Sequence, residues 1–287
     1  TTLSMAAKAY SAAKKIDTKT HPKKLLGIAV TASLATNYSK KGDHKFFIAI
    51  QTHKYSHSFS YQFTKGELSR DQEEAIVTKY IIDALSGACG INEGVQDQTP
   101  NLRIEKVKAE KSWIKLVDGK IEFISSSNQI PELIFPGSFN PLHSGHAEMS
   151  ELAEKKSGLS PAYEICIQNA DKPPLSYHEI QRTVLQFSQS YDWVLTKAGK
   201  FSDKAKLFPN SVFIIGADTL TRMLDEKFYL NRKDMLDQLD LFNSHNINFL
   251  VFGRKINKTF ISLDSVQIPE HIENRFTGFG EEIFRDD

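Results

Sequence analysis

Between residues 132 and 253, short apolar runs alternate with longer stretches of helical periodicity. Five runs rich in β-branched and aromatic residues are typical of buried strands: ELIF, YEICIQ, DWVLT, SVFIIG and INFLVFG. The periodic stretches that separate them are residues 143–156, 176–190, 219–229 and 232–244. Because parallel strands are joined by helical crossovers and lie buried between helix layers, this alternation predicts a doubly wound α/β domain.

Residues 1–92 show a different pattern, with two helical stretches and three strand-like runs. LSMAAKAYSAAKKI repeats small and apolar residues at helical spacing, which favours a folded amphipathic helix over the organelle-targeting peptide that its lysines suggest. Strands are predicted at residues 25–33, 45–52 and 58–63. Ser69 and Gln72 form a capping-box pair that begins a helix ending near Gly87. These elements predict a small α/β domain.

A connector, residues 93–130, follows this first domain. The polar stretch INEGVQDQTPN at its start carries the residues typical of loops. In WIKLVDGKIEFI, two apolar runs flank Asp118 and Gly119, which predicts a β-hairpin with these two residues at its turn. The sequence thus predicts a domain over residues 1–92, the connector, and the doubly wound domain over residues 131–287.

The composition narrows the classes of function. Of 287 residues, 40% are hydrophobic and 25% charged, as in ordinary globular proteins. The 36 basic and 35 acidic side chains nearly balance, so no overall field favours nucleic acid or an anionic membrane as a partner. Cys89 and Cys166 belong to no CxxC or Cys/His cluster, which argues against disulfides and structural zinc. No apolar run approaches the roughly 20 residues of a membrane-spanning helix. We expect a soluble, intracellular protein; the cytoplasm is favoured and an organelle matrix stays open.

The stretch FPGSFNPLHSGHAEM, residues 135–149, begins at the end of the first of the five apolar runs. Gly137 has no Cβ, so a ligand or a facing backbone can approach it closely. Pro141 disfavours helix at the preceding residue, so a helix beginning near His143 directs its unpaired N–H groups and positive dipole end into the crevice at the strand ends. His143 and His146 share one face of its first turn and can donate to phosphate oxygens. The stretch predicts a phosphate site in preference to a loop with two incidental histidines.

GSFNPLHSGH resembles the GxFxPxHxGH pattern of the nucleotidyltransferase (cytidylyltransferase-like) superfamily, which includes nicotinamide-mononucleotide, pantetheine-phosphate and glycerol-phosphate transferases. The resemblance covers about residues 131–287 and implies a Rossmann-like fold. It also implies that an acceptor phosphate attacks the α-phosphate of a nucleoside triphosphate, with ATP favoured, and releases pyrophosphate with Mg²⁺ present and no covalent enzyme intermediate. The catalytic residues that it implies are His143 and His146. The nucleotide-binding residues that it implies are Gly137, Ser138, Phe139, Asn140, Gly145, Gly216, Asp218 and Arg254.

Shorter similarities support three of these positions and add one more. IIGADTL resembles the family's GxDxL segment, which borders the nucleotide, although a strand-end turn with Asp218 capping the next helix explains the same letters equally well. FLVFGR resembles the later strand that ends in a basic residue, so Arg254 would contact a phosphate, with a solvated arginine as the even alternative. NADKPPLS is similar to a loop beside the acceptor nucleotide, which makes Lys172 a candidate for acceptor binding, although most such lysines are simply exposed.

One departure from the family pattern leaves a second function open. The serine-rich ISSTxxR-like motif, which in that family holds the β- and γ-phosphates, does not occur where the sequence reads GFGEEIFRDD. ISSS, residues 124–127, precedes the first strand of the domain and cannot take that position. Either the end that carries this motif was removed or is disordered, or the protein has lost a triphosphate contact. In the second case, a noncatalytic assembly subunit that keeps a nucleotide-binding fold is the alternative to an enzyme. A homo-oligomer or larger assembly stays open, whereas a nucleic-acid binder lacks a basic stripe or a recognition motif.

The first domain has a resemblance of its own. LSMAAKAY, GIAVTASLATN, KFFIAIQT and the helix from Ser69 to Ala88 are similar to the latter part of the C-terminal domain of CinA-type proteins, a nicotinamide-nucleotide amidase fold. Because the usual TGIAGP turn reads TASLAT here, no amidase residue is carried over. The pairing of the two domains favours pyridine-nucleotide metabolism, with nicotinamide mononucleotide or a related phosphate ester as the acceptor.

Overall fold

A computed structural model describes most of the chain, and the described residues fall into two compact units. The described residues are 1–38, 40–96, 99–127, 129–169, 172–187, 190–256 and 259–280. The first unit takes those within Thr1–Lys115 and Ala170–Arg182, and the second takes those within Leu116–Asn169 and Thr183–Asp287. The division after Lys115 falls inside the predicted connector.

The first unit is a four-stranded antiparallel sheet with one helix on each face. Its elements are α1 (Thr2–Ile16), β1 (Leu26–Ser33), β2 (Lys45–Thr52), β3 (Tyr55–Gln62), α2 (Arg70–Ala88) and β4 (Leu102–Lys108), and the strands lie in the order β1-β2-β3-β4. Ala49 of β2 packs with Ala6 of α1, whereas Ile48 packs with Tyr80 of α2. Since neighbouring strand residues point to opposite faces, α1 and α2 cover opposite faces of the sheet.

The predicted helices and strands of this unit are confirmed, with one addition and one shifted end. Ser69 and Gln72 form the predicted capping box at the start of α2. β3 begins at Tyr55, three residues before the predicted strand, and β4 falls in the stretch that was predicted as connector. Residues 97 and 98 of that connector lie outside the described part of the chain.

The predicted hairpin over residues 113–124 is wrong. Its first half is helix α3 (Lys111–Val117), in which Trp113 and Leu116, three residues apart, are both buried. Its second half contains β5 (Phe123–Ser125), which pairs with a strand more than 60 residues later in the chain. Gly119 has the positive φ of 71° that a hairpin turn would use, but here it follows a helix, where the same conformation is common.

The second unit contains a seven-stranded sheet. Besides β5, the strands of this sheet are β6 (Leu133–Pro136), β7 (Pro161–Cys166), β8 (Asp192–Thr196), β9 (Val212–Gly216), β10 (Asn248–Phe252) and β13 (Phe276–Phe279), whereas β11 (Arg254–Ile256) and β12 (Thr259–Ile261) form a separate two-stranded sheet. The remaining helices of the chain are α4 (Ser144–Ser157), α5 (Tyr177–Leu185), α6 (Phe201–Leu207), α7 (Ala217–Met223), α8 (Arg232–Leu239) and α9 (Leu241–Ser244). Short 3₁₀ helices lie at Pro22–Lys24, Glu226–Phe228, Leu263–Ser265 and Glu270–Arg275.

The order of this sheet is β13-β10-β9-β6-β7-β8-β5, and every pairing is parallel except that of β5 with β8. The predicted doubly wound, Rossmann-like architecture is therefore confirmed, and all five predicted strands are present. The helix predicted at residues 219–229 is the shorter α7, and the one predicted at 232–244 divides into α8 and α9. The sequence predicted a strand near β5 but not its pairing with β8, and it did not predict α6 or β13.

The strand order places a switch point between β6 and β9. From β6 the chain proceeds outward through β7 and β8 on one side, and from β9 it proceeds through β10 to β13 on the other. Because the two sets of crossovers depart in opposite directions, a crevice opens at the carboxyl ends of β6 and β9, and such crevices are where open α/β sheets bind ligands.

The helices of the described residues are either too short or too polar to cross a lipid bilayer.

Candidate active site

The crevice at the switch point begins where β6 and β9 separate. Their ladder contains only two residue pairs, Leu133 with Val212 and Ile134 with Phe213. Beyond it, β6 continues into the segment 137–146, and β9 ends at Gly216. The two glycine-containing ends that were predicted to meet a nucleotide therefore flank the same opening of the sheet.

Gly137 turns the chain out of β6 over a buried aromatic ring. Its N–H donates to the backbone carbonyl of Glu164 on β7, at 3.0 Å. A Cβ at this position would lie 2.4 Å from Cζ of Phe139. The sequence predicted that a ligand or a facing backbone approaches this position, but the ring of Phe139 takes the space, so the glycine is required by the protein's own packing.

Phe139 anchors the segment in the domain core. It has a φ of 41°, in the left-handed region, and only 1% of its surface is exposed. Its ring lies edge-on to those of Phe135, His146, Tyr163 and Phe187, with centroids 5.1 to 5.5 Å away. Any nucleotide contact from Phe139 would therefore come from its backbone.

The two predicted catalytic histidines lie together at the start of α4. His143 is the residue that precedes the helix, and its backbone N–H donates to Nδ1 of His146 at 3.3 Å. The ring centroids are 3.7 Å apart. Since Nδ1 accepts, this hydrogen bond assigns the proton of the neutral His146 imidazole to Nε2, which makes Nε2 a donor.

The first turn of α4 adds backbone donors beside these rings. Ser144 and Gly145 begin the helix, so their N–H groups have no acceptor within it, and the positive end of the helix dipole lies there. Ser138, Asn140 and His143 are exposed to solvent. The segment therefore presents polar side chains, two imidazoles and a helix N-terminus on one side of the crevice.

Asp218 and Arg254 are brought together on the other side. Gly216 ends β9 and precedes α7, and Asp218 lies in the first turn of that helix. Arg254 follows β10, the next strand of the sheet, and its guanidinium lies 3.6 Å from the Asp218 carboxylate. Both side chains are about half exposed. The arginine is therefore an exposed cation at the carboxyl edge of the sheet, held near the crevice by one carboxylate.

Lys172 is the predicted site residue that lies outside the second unit. It is exposed and belongs to the first unit, whereas all the remaining predicted residues lie in the second. Its assignment to the acceptor remains a prediction.

Sequence reasoning missed Gln186, whose side chain bonds to the segment at two points. Its Nε2 donates to the carbonyl of Phe139, and its Oε1 accepts from the N–H of Leu142, both at 2.9 Å. A glutamine just after an amphipathic helix is unremarkable in sequence, so no local pattern could have identified it.

Sequence reasoning also missed a buried ion pair behind the segment. Lys204 of α6 lies 2.6 Å from the carboxylate of Glu164, and at most 5% of either side chain is exposed. Thr196 of β8 donates to the same carboxylate. Nearby, burial raises the pKa of the Cys166 thiol, which keeps it protonated at neutral pH and unsuited to nucleophilic attack.

The residues at the crevice suit a metal ion that is bound mainly by the phosphates of a substrate. Among the described residues, no three His, Cys, Asp or Glu side chains are grouped so that they could hold a metal ion. Mg²⁺ is commonly bound by substrate phosphates together with one or two carboxylates. Asp218 supplies one carboxylate at this edge, which fits a magnesium ion carried by a triphosphate.

Comparison with known proteins identifies the domain that contains this crevice. Residues 134–275 match the cytidylyltransferase-like protein family. Over these residues the chain is similar to cytidylyltransferase-like domains. The matched range runs from β6 to the end of the last 3₁₀ helix and includes both sides of the crevice. The similarity of residues 1–92 to CinA-type proteins is not part of this match and stays a prediction.

Half of this chain is also similar to a protein from a yeast. Over 156 residues, half of this chain, the sequence is 31% identical to a Schizosaccharomyces pombe protein named "Putative nicotinamide mononucleotide adenylyltransferase". The alignment covers 61% of that protein, so this chain spans about three fifths of the relative's length.

Proposed function

We propose that this protein transfers a nucleotidyl group, the adenylyl group of ATP, to a small acceptor that carries a phosphate, such as nicotinamide mononucleotide. The observation that carries the proposal is the pair of adjacent imidazoles of His143 and His146 at the N-terminus of α4, where the sheet opens. The cytidylyltransferase-like match supports the class of reaction, and the name of the yeast relative supports the acceptor.

In this reaction an oxygen of the acceptor phosphate attacks the α-phosphorus of ATP in line with the leaving group. The new oxygen–phosphorus bond forms as the bond from the α-phosphorus to the bridging oxygen breaks, and pyrophosphate leaves with the electron pair. No proton must be removed from the attacking oxygen, because the phosphate is already ionised at neutral pH. Catalysis therefore depends on orientation and on stabilising negative charge.

The residues of the crevice suit both tasks. Nε2 of His146 donates to a phosphate oxygen, and its orientation is fixed by the hydrogen bond to Nδ1. The exposed His143 and the first N–H groups of α4 add donors. Arg254 approaches the phosphates from β10. A magnesium ion bound to the triphosphate supplies further neutralisation of its charge.

The test uses the full chain with ATP and Mg²⁺, with and without nicotinamide mononucleotide and other phosphate-bearing acceptors. We expect pyrophosphate release that depends on the acceptor, and ATP binding measured by calorimetry. Binding of ATP without release for any acceptor would indicate the noncatalytic subunit instead. Absence of both would rule out the proposed enzyme and that alternative together.

A further inference from the structure

Two backbone groups of the 137–146 segment, the carbonyl of Phe139 and the N–H of Leu142, form hydrogen bonds with a residue outside the segment. The backbone of Phe139 is in the left-handed region and its ring is buried. Its carbonyl is therefore part of neither the β-sheet ladder before it nor the helix after it. Leu142 precedes the N-cap residue His143, and its N–H lies before the first helical turn. Backbone groups that are withdrawn from water need hydrogen-bond partners, so both must be satisfied by another part of the chain.

Both groups are satisfied by one side chain. The amide of Gln186 donates to the Phe139 carbonyl and accepts from the Leu142 N–H, both at 2.9 Å, across 47 and 44 residues of sequence. The carboxamide of a glutamine carries a neutral donor and a neutral acceptor on two different atoms of one rigid group. The two hydrogen bonds together fix the separation of the two ends of the turn 139–142.

Gln186 is itself held in place by its neighbours. Its backbone N–H donates to the carbonyl of Thr183 at 3.2 Å, just after α5 ends. The next residue, Phe187, is fully buried and packs against Phe139 and Tyr163. The amide therefore approaches the turn from a fixed position in the domain core.

We propose that Gln186 is the positioning residue of the predicted phosphate site, setting the direction in which His143 and His146 face the crevice. Leu142 is bonded directly to His143, and the His143 N–H in turn holds Nδ1 of His146. An unbroken series of hydrogen bonds and one peptide bond thus links the Gln186 amide to Nε2 of His146. Gln186 touches no phosphate in this scheme and acts only through the segment. The inference rests on the proposed function, because it takes the segment as the site that binds the phosphates of ATP.

The test replaces Gln186 by methionine, which has a similar length and forms neither hydrogen bond. Gln181→Met on the exposed side of α5 is the matched control. We expect Gln186→Met to weaken ATP binding about tenfold, equivalent to 1.4 kcal/mol, and to speed amide hydrogen exchange in peptides covering residues 137–147. ATP affinity and hydrogen exchange are both measured well below the melting temperature. At such temperatures, a variant that has lost only global stability is still folded and would bind ATP with unchanged affinity. Gln181→Met is expected to behave as the wild type.

Unchanged ATP affinity in Gln186→Met, with or without faster exchange, would overturn the proposal, and so would equal losses in both variants. If Gln186→Met does not fold, Gln186→Glu takes its place. That variant keeps the acceptor for Leu142, but it loses the donor to Phe139 and sets a carboxylate against that carbonyl, so its expected loss of affinity is about tenfold or more. If the wild type neither binds ATP nor releases pyrophosphate, the proposed function fails, whereas hydrogen exchange in the 137–147 peptides still decides whether Gln186 orders the segment.

Discussion

The backbone N–H of His143 donates to Nδ1 of His146 at 3.3 Å, and the two imidazole rings lie 3.7 Å apart. The two histidines are thus one unit, in which the backbone of the first sets the tautomer and orientation of the second. A stack of two imidazoles at a helix N-terminus suits an anion, since each added negative charge nearby is favoured by the helix dipole.

His146 is expected to act through Nε2. His146→Ala should lower turnover about 10²-fold or more, because a donor to developing negative charge is lost. His146→Gln places its amide near the position of Nε2 and should retain more activity than His146→Asn, whose amide mimics Nδ1. Pyrophosphate release is the measurement, and the exposed His271→Ala is the control. Equal activity of the Gln and Asn variants would refute the assignment of the tautomer.

Gly137→Ala should destabilise the 137–146 segment, because the added methyl group collides with the ring of Phe139 that packs beneath it. The new Cβ would meet the Phe139 ring at 2.4 Å, and forcing a methyl group into a packed core costs about 1–3 kcal/mol. Thermal unfolding measures this, with Gly42→Ala as control, because nothing lies within 4 Å of a Cβ there. Adding Phe139→Leu should recover part of the loss by removing the ring. If Gly137→Ala is as stable as the wild type, the ring does not fill this space.

Arg254→Ala distinguishes the two roles predicted for Arg254, a contact with a phosphate and a solvated side chain without one. Because the Arg254–Asp218 pair is half exposed, its loss should change the free energy of unfolding by less than about 1 kcal/mol. A contact to a phosphate would instead appear as a rise of roughly tenfold or more in KM for ATP. The adjacent exposed Lys255→Ala is the control. A KM like that of the control would leave Arg254 as a solvated residue.

Lys204→Met should strongly destabilise the second unit, because it leaves the Glu164 carboxylate buried without its cation. Such losses cost about 3–5 kcal/mol. Urea unfolding followed through Trp193 fluorescence, in a Trp113→Phe background, reports on the strand beside the pair. The double variant Glu164→Gln with Lys204→Met should recover most of the loss. A double variant as unstable as the single one would show that the two charges are not coupled.

His57 is expected to make the first unit less stable in acid. Burial, with the nearby Lys106 and His178 adding to it, lowers the pKa of His57 from 6.5 to about 4. Between pH 6.5 and 4 the unfolded chain therefore binds a proton that the folded chain does not, so stability falls as pH falls. Above pH 6.5 the residue contributes no pH dependence.

The melting temperature of His57→Gln, compared with the wild type at pH 7.5 and pH 5, measures this effect. The variant should lose less on acidification, whereas the exposed His271→Gln should follow the wild type. Identical acid sensitivity in His57→Gln and the wild type would contradict the assigned shift.

The doubly wound sheet could be predicted because its strands are buried on both faces, so each of the five strands reads as a mostly apolar run, interrupted in β7 by Glu164. β13 has four residues, too few to show a period, and it was missed. The hairpin was predicted wrongly because an Asp-Gly pair is a local signal. The positive φ of Gly119 serves a hairpin turn and a helix end equally well, and the burial of Trp113 and Leu116 decided for the helix.

The sequence by itself determined which residues the 137–146 segment contains and that it runs from a strand to a helix, because these depend on neighbours in the chain. Only the tertiary structure decided what the segment touches: Phe139 beneath Gly137, Gln186 across the turn, and Arg254 beside Asp218. These partners come from elements that are distant in sequence, and their meeting depends on strand order and side-chain packing. Neither of these produces a periodic pattern of apolar residues in the sequence, because one contact between distant residues does not fix the spacing of residues along the chain.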